Sequence, residues 1–265
     1  MHRRIAVALT LGALSACTTF APPPMMMHQT ETTFRSEPGA VNLGGFVGGG
    51  AAGLPFGDGF LGALGVADVL APAGWKFGAS GAIGLNTSTS SSSSSSPAVN
   101  GSLKSGRLFA QYRPGKQDWV AVQLGGGGGS YSRGDLAMNY AGPDLGVSVG
   151  HTFGAVRPYL TATGAFSQPF QVDNQTPGST AQADIDQYTS RVYYAIGGIG
   201  VCGDTPSGVE LSAELNTGVG WQPHGRTNGM FSLSGGLRYR FGAPRKVAPL
   251  PPNLDDEPED DGGGS

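Results

Sequence analysis

Two glutamates four residues apart, Glu210 and Glu214 in VELSAEL, and two arginines two apart, Arg238 and Arg240 in LRYRF, are the charges whose spacing asks for a partner. In extended chain, residues at even spacing share one face, so each pair projects to a single side. If PHGRTNG is a loop centred near Gly225, antiparallel pairing sets Glu210 opposite Arg240 and Ser212 opposite Arg238, with Glu214 a diagonal step away. That arrangement makes ion pairs. The same carboxylates beside His151, His224 and a serine would make a hydrolase, but HTFG and PHGR fall at opposite ends of the strand pattern. The glycine run LGGGGGS at 124–130 lacks the Lys-Ser/Thr of a phosphate loop and reads as a flexible strand end. The histidines are scattered without ligand spacing, so no metal and no cofactor is expected.

The elements that must carry these charges alternate with period two. GWKFGASGAIGLN sets Trp75, Phe77, Ala79, Ile83 and Leu85 against Lys76, Ser80 and Asn86. In GVELSAELNTGVGW, Val209, Leu211, Ala213, Leu215, Thr217, Val219 and Trp221 oppose Glu210, Ser212, Glu214 and Asn216. MFSLSGGLRYRF sets Phe231, Leu233, Leu237, Tyr239 and Phe241 against Ser232, Ser234, Arg238 and Arg240. Eight strands are predicted, near 74–86, 104–113, 118–130, 143–153, 157–167, 188–201, 208–221 and 229–241.

Connection lengths alternate as well. TSTSSSSSSSPAVNGS, the stretch around SRGDLAMNYAGP, QPFQVDNQTPGSTAQADID and PHGRTNG are long, whereas RPGKQ, GAVRP and CGDTPSG are short. Tall strands joined by alternating long and short connections are the pattern of a transmembrane β-barrel, which also satisfies every backbone polar group in lipid. The predicted fold class is therefore all-β: an antiparallel up-and-down transmembrane barrel of eight strands, over residues 74–241. The glycine-rich stretch 41–73 is a plug, a short helix, or an extra hairpin that raises the count to ten. Barrel closure brings the first strand beside the last, so Lys76 joins Glu210, Glu214, Arg238 and Arg240 in an expected lumen ion network near the periplasmic end. A soluble lipocalin-like barrel is the competing architecture. Aromatics near strand ends, Trp75, Tyr112, Trp119, Trp221, Tyr239 and Phe241, favour the membrane.

The beginning of the chain agrees with export. MHRR, then IAVALTLGAL, then SAC compose a secretory signal over residues 1–16, too short to span a membrane. Leu14-Ser15-Ala16-Cys17 resembles the bacterial lipobox, which implies acylation of Cys17 and cleavage before it. Thr18 rather than aspartate follows, which in such lipoproteins implies export to the outer membrane. With Cys17 given to lipid, Cys202 has no disulfide partner. Residues 17–40 read as a disordered tether, and 242–265, proline-rich and acidic, as a disordered tail. No run of about 20 apolar residues follows the signal. A net charge of −3 leaves no nucleic-acid footprint.

Residues 74–241 thus resemble the small eight-stranded bacterial outer-membrane barrels. Ser234, Gly236, Tyr239 and Phe241 resemble the C-terminal signal read by the barrel-assembly machinery, although a tail follows them. The resemblance implies a monomer in the bacterial outer membrane, both termini periplasmic, with outer-membrane lipid and the barrel-assembly and lipoprotein-processing machineries as partners. The function expected is structural or surface-interacting, without enzymatic activity. A lipid-modifying enzyme and a narrow channel are the alternatives.

Overall fold

Strand after strand, the alternation folds into one sheet that closes on itself. The ten strands are β1 Val41–Ala52, β2 Asp58–Leu70, β3 Trp75–Thr87, β4 Asn100–Tyr112, β5 Val120–Arg133, β6 Leu136–Gly150, β7 Val156–Asn174, β8 Val192–Asp204, β9 Val209–Trp221 and β10 Thr227–Phe241. Each pairs antiparallel with its sequence neighbours, and β1 pairs with β10 from Val41↔Phe241 to Ala52↔Met230. The computed structural model describes residues 22–23, 39–52, 58–87, 100–114, 119–133, 136–174, 189–205, 207–223 and 227–241.

The count is ten, not eight, because the stretch 41–70 forms the hairpin β1–β2. Consequently β3, which carries Lys76, does not close against β10; β1 and β2 stand between them. A second departure concerns SRGDLAMNYAGP. Its chain is strand on both sides of residues 134–135, with Met138 and Tyr140 turned into the lumen and Pro143 opposite Gly126. The glycine run is likewise interior to β5.

One face of the sheet is a belt of exposed aliphatic side chains. Every strand contributes: Val47, Leu61, Ile83, Leu108, Leu124, Leu145, Leu160, Ile199, Leu215 and Leu233 are each 47–70 % exposed. Aromatic groups flank the belt. Trp75 lies 4.8 Å from Tyr112 at the end that carries Val41 and Phe241, and Tyr193 lies 5.5 Å from Phe166 and 6.0 Å from Trp221 at the other.

The opposite face lines the lumen, and there the abundant glycines have a structural use. Large inward rings lie over glycines of adjacent strands: Phe109 over Gly78, Tyr159 over Gly200, Tyr194 over Gly220 and Phe46 over Gly236, each so close that a Cβ would strike the ring. Gly74, at φ +82°, shapes the β2–β3 turn, where a side chain would strain the backbone. With glycines as seats, a narrow barrel is filled by its larger side chains.

The lumen has two storeys. Toward the loop-bearing end, Leu103, Tyr131, Leu136, Met138, Tyr140, Val192, Tyr194 and Ile196 form one apolar cluster. Toward the end carrying the turns at 71–74 and 151–155, buried polar and charged side chains gather around Phe46, Val66, Phe109, Tyr159 and Cys202.

Candidate functional site: the charged layer of the lumen

The chemistry of the molecule gathers in this lower storey. Lys76, Arg107, Arg113, Arg157 and Arg238 face Asp68, Asp144, Glu210 and Glu214, all buried, with Arg240 and Asp204 half-buried at its edge. Among the described residues, six positive groups meet five negative ones there. These groups are buried, so each charge requires a partner.

Curvature supplies those partners. Inward side chains on strands one apart converge over the strand between them. Arg107 on β4 reaches over β5 to Asp144 on β6, Nε to Oδ2 at 2.8 Å and Nη2 to Oδ1 at 2.6 Å. The glycine run makes this reach possible, because a Cβ at Gly125 would occupy the guanidinium's place, 2.7 Å from its Nε. Arg238 on β10 contacts Asp68 on β2 at 3.4 Å, over β1, while Asn42 of β1 donates to the same aspartate at 2.6 Å. Tyr159 on β7 donates to Glu214 on β9 at 3.0 Å, and Asn216 donates to the other oxygen of Glu214 at 2.8 Å. Arg157 pairs with Asp204, which Arg240 also approaches at 3.7 Å. Cationic groups also lie over rings: Lys76 is 5.8 Å and Arg107 5.1 Å from the centre of Phe109, and Arg238 is 5.7 Å from that of Phe46.

The five residues singled out from the sequence all lie in this layer. The β9–β10 register is two residues shorter than expected, since Thr227 continues the strand opposite Trp221; Glu210 is therefore opposite Arg238, Gly236 opposite Ser212 and Ser234 opposite Glu214. Arg238 meets Asp68, Arg240 meets Asp204, and Glu214 meets Tyr159. Lys76 is wholly buried on β3, with β2 and β1 between it and β10. Sequence reasoning missed Asp68, Arg107, Asp144, Arg157 and Asp204. Their strand parity was the available signal: Arg107 shares a face with Phe109 and Gln111, all three buried.

Ser234 points into the lumen, whereas Tyr239 and Phe241 lie outside in edge-to-face contact at 4.5 Å, beyond Gly236. His151 sits in the β6–β7 turn with its ring edge-on to Phe153. Cys17, His224, the serine run at 90–96 and the tail lie outside the described residues. Among the described residues no three His, Cys, Asp or Glu side chains are grouped to hold a metal.

No protein-family model matches the chain, and no curated protein matches its sequence. Solved structures similar to it include the beta domain of the Bordetella autotransporter BrkA, at 13 % identity and TM-score 0.47 over 77 % of this chain and 100 % of that one. The translocator domain of the autotransporter NalP from Neisseria meningitidis aligns at 13 % identity and TM-score 0.47 over 78 % of this chain and 90 % of that one. A loop-deletion mutant of OmpT, an outer membrane protein of Vibrio cholerae, aligns at 9 % identity and TM-score 0.34 over 69 % of this chain. The chain spans about half of that protein's length, 54 %.

Proposed function

We propose that this chain is an outer-membrane β-barrel, anchored additionally by lipid on Cys17, whose role is structural or surface-interacting. The observation that carries the reading is the unbroken belt of exposed aliphatic side chains, one from every strand, around a lumen whose charges are buried. In water that belt is a large exposed apolar surface; in a bilayer it is the correct solvent-facing surface, and its flanking aromatics fall where headgroups begin. A lipocalin-like fold would place its apolar face inward.

The filled lower lumen supports a closed barrel over a channel, since its ion pairs cross from strand to strand where a pore would need water. The histidine of the β6–β7 turn has Phe153 as its ring neighbour, which gives a lipid-modifying hydrolase no support there. Tyr239 and Phe241, exposed near the end of β10, are available to the barrel-assembly machinery, and Ser234 and Gly236 complete that pattern.

The test is membrane retention without the lipid. Cys17→Ala expressed in a Gram-negative host should remain in the outer-membrane fraction after carbonate extraction. Release of the variant into the carbonate wash would show that the tether alone held it, and that the domain is soluble.

A further inference from the structure

The outer face of the loop-bearing rim carries a cation that the lumen network leaves out. Arg191 stands immediately before β8 and is exposed, and nothing among the described residues pairs with its guanidinium. Arg107, Arg157 and Arg238, by contrast, all have carboxylate partners in the lumen. Strand parity sets the side: Val192, Tyr194 and Ile196 are the inward residues of β8, so Arg191 and Tyr193 project outward.

A cleft of about 510 Å³ opens beside this arginine, lined by Gln168, Thr189, Ser190, Arg191, Tyr193 and Pro223. Its wall is fixed in place. Nε2 of Gln168 donates to the carbonyl oxygens of Thr189 at 3.3 Å and Pro169 at 3.1 Å, which ties the segment before β8 to β7. The lining offers a guanidinium, three hydroxyls and an amide, and none of its six residues is acidic. That donor set suits an oxyanion, because the arginine fork matches phosphate oxygens and hydroxyls can donate to the rest.

The position of the cleft selects the anion. Phe166, Tyr193 and Trp221, with Tyr193 5.5 Å from the first ring and 6.0 Å from the second, form the aromatic band at this end, where acyl chains give way to headgroups. Arg191 lies two residues beyond Tyr193, about 7 Å at roughly 3.3 Å per residue, so its charge stands at headgroup height. Below the band the outward positions are small: Gly164 is opposite Ala195 and Ala162 opposite Gly197. A Cβ at Gly164 or Gly197 would meet only a backbone oxygen, at 3.9 and 3.8 Å. An acyl chain can lie in that shallow trough, beside the exposed Leu160, Ile199 and Val219, while its headgroup reaches the cleft. A soluble anion would leave both the trough and the aromatic band unused.

We propose that this cleft binds the phosphorylated headgroup of a membrane lipid in the leaflet at the loop-bearing end, with Arg191 on the phosphate. The proposal rests on the membrane reading above.

Native mass spectrometry of the full chain in detergent micelles, titrated with lipid A as a phosphorylated lipid and with phosphatidylcholine as a zwitterionic one, tests it. The parent protein should retain lipid A in preference to phosphatidylcholine. Arg191→Gln should hold lipid A about tenfold more weakly, the loss of one charge-assisted contact. Lys104→Gln, which removes an exposed cation of β4 outside the cleft, should bind as the parent does. Equal retention of lipid A by Arg191→Gln and the parent overturns the proposal, as does equal retention of the two lipids by the parent. Displacement of lipid A by excess inorganic phosphate overturns it too, by making the cleft a free-phosphate site. Each protein is also run unboiled and boiled on a denaturing gel. If Arg191→Gln alone loses the heat-dependent shift, the parent's choice between the two lipids decides. If the parent shows no shift, the membrane reading fails and this proposal with it, whereas a normal shift without lipid selectivity sinks the proposal alone.

Discussion

Arg107 and Asp144 form a two-point ion pair across the width of strand β5, with side chains 3 % and 0 % exposed. The pair ties β4 to β6 and lies where a continuous aqueous path through the barrel would have to pass. Removing one partner strands the other charge in a dry interior, whereas replacing both removes the need for either. Arg107→Ala should therefore lose about 3–5 kcal/mol of unfolding free energy in detergent. Arg107→Met with Asp144→Leu should recover most of it. Equal losses in the single and double variants would show that the pair is not the source of the effect.

The glycine seats give a second expectation. Gly200→Val places a branched side chain against the Tyr159 ring, which can withdraw only by giving up Glu214. It should lower stability by about 1–3 kcal/mol, the usual cost of overpacking. Gly65→Ala is the control, since its Cβ meets nothing nearer than the Gly81 carbonyl oxygen at 4.0 Å. Thermal unfolding of the two variants beside the parent protein reads the difference.

The outer belt can be tested by charge. Val47, 65 % exposed near the middle of β1, faces lipid in the membrane reading and water in the soluble one. Val47→Arg should cost about 2–4 kcal/mol in a bilayer or micelle. A change of a few tenths of a kcal/mol would fit an exposed site in water. Refolding into lipid vesicles followed by denaturant titration distinguishes the two.

The filled lumen predicts silence in planar bilayers: the purified chain should carry no steady current. A stable single-channel conductance abolished by Cys at Gly125 cross-linked to a facing side chain would instead place a water path beside Arg107.

Sequence legibility followed the chemical contrast between the two faces. In β3, β9 and β10 the outward positions are apolar and the inward ones polar, and Lys76, Glu210, Glu214 and Arg238 are accordingly buried. The hairpin β1–β2 was obscured because glycine takes inward positions such as Gly44, Gly48 and Gly50, beside Phe46, and erases the polar half of the alternation. Arg107 was hidden by a mixed inward face, Leu103, Arg107, Phe109 and Gln111. The partners of Arg238 and Arg240 were missed for a geometric reason: pairing across an intervening strand depends on barrel curvature, whereas the sequence pattern reports only adjacent strands.

The most direct test of the closed, lipid-facing barrel is the mobility of the detergent-purified Cys17→Ala protein on a denaturing gel, unboiled and boiled. A ten-stranded barrel whose ends are sealed by β1–β10 pairing should resist the detergent until heated, so the unboiled band should run apart from the boiled one. A single band at the same position in both lanes, together with release of Cys17→Ala from membranes by carbonate, would contradict the account.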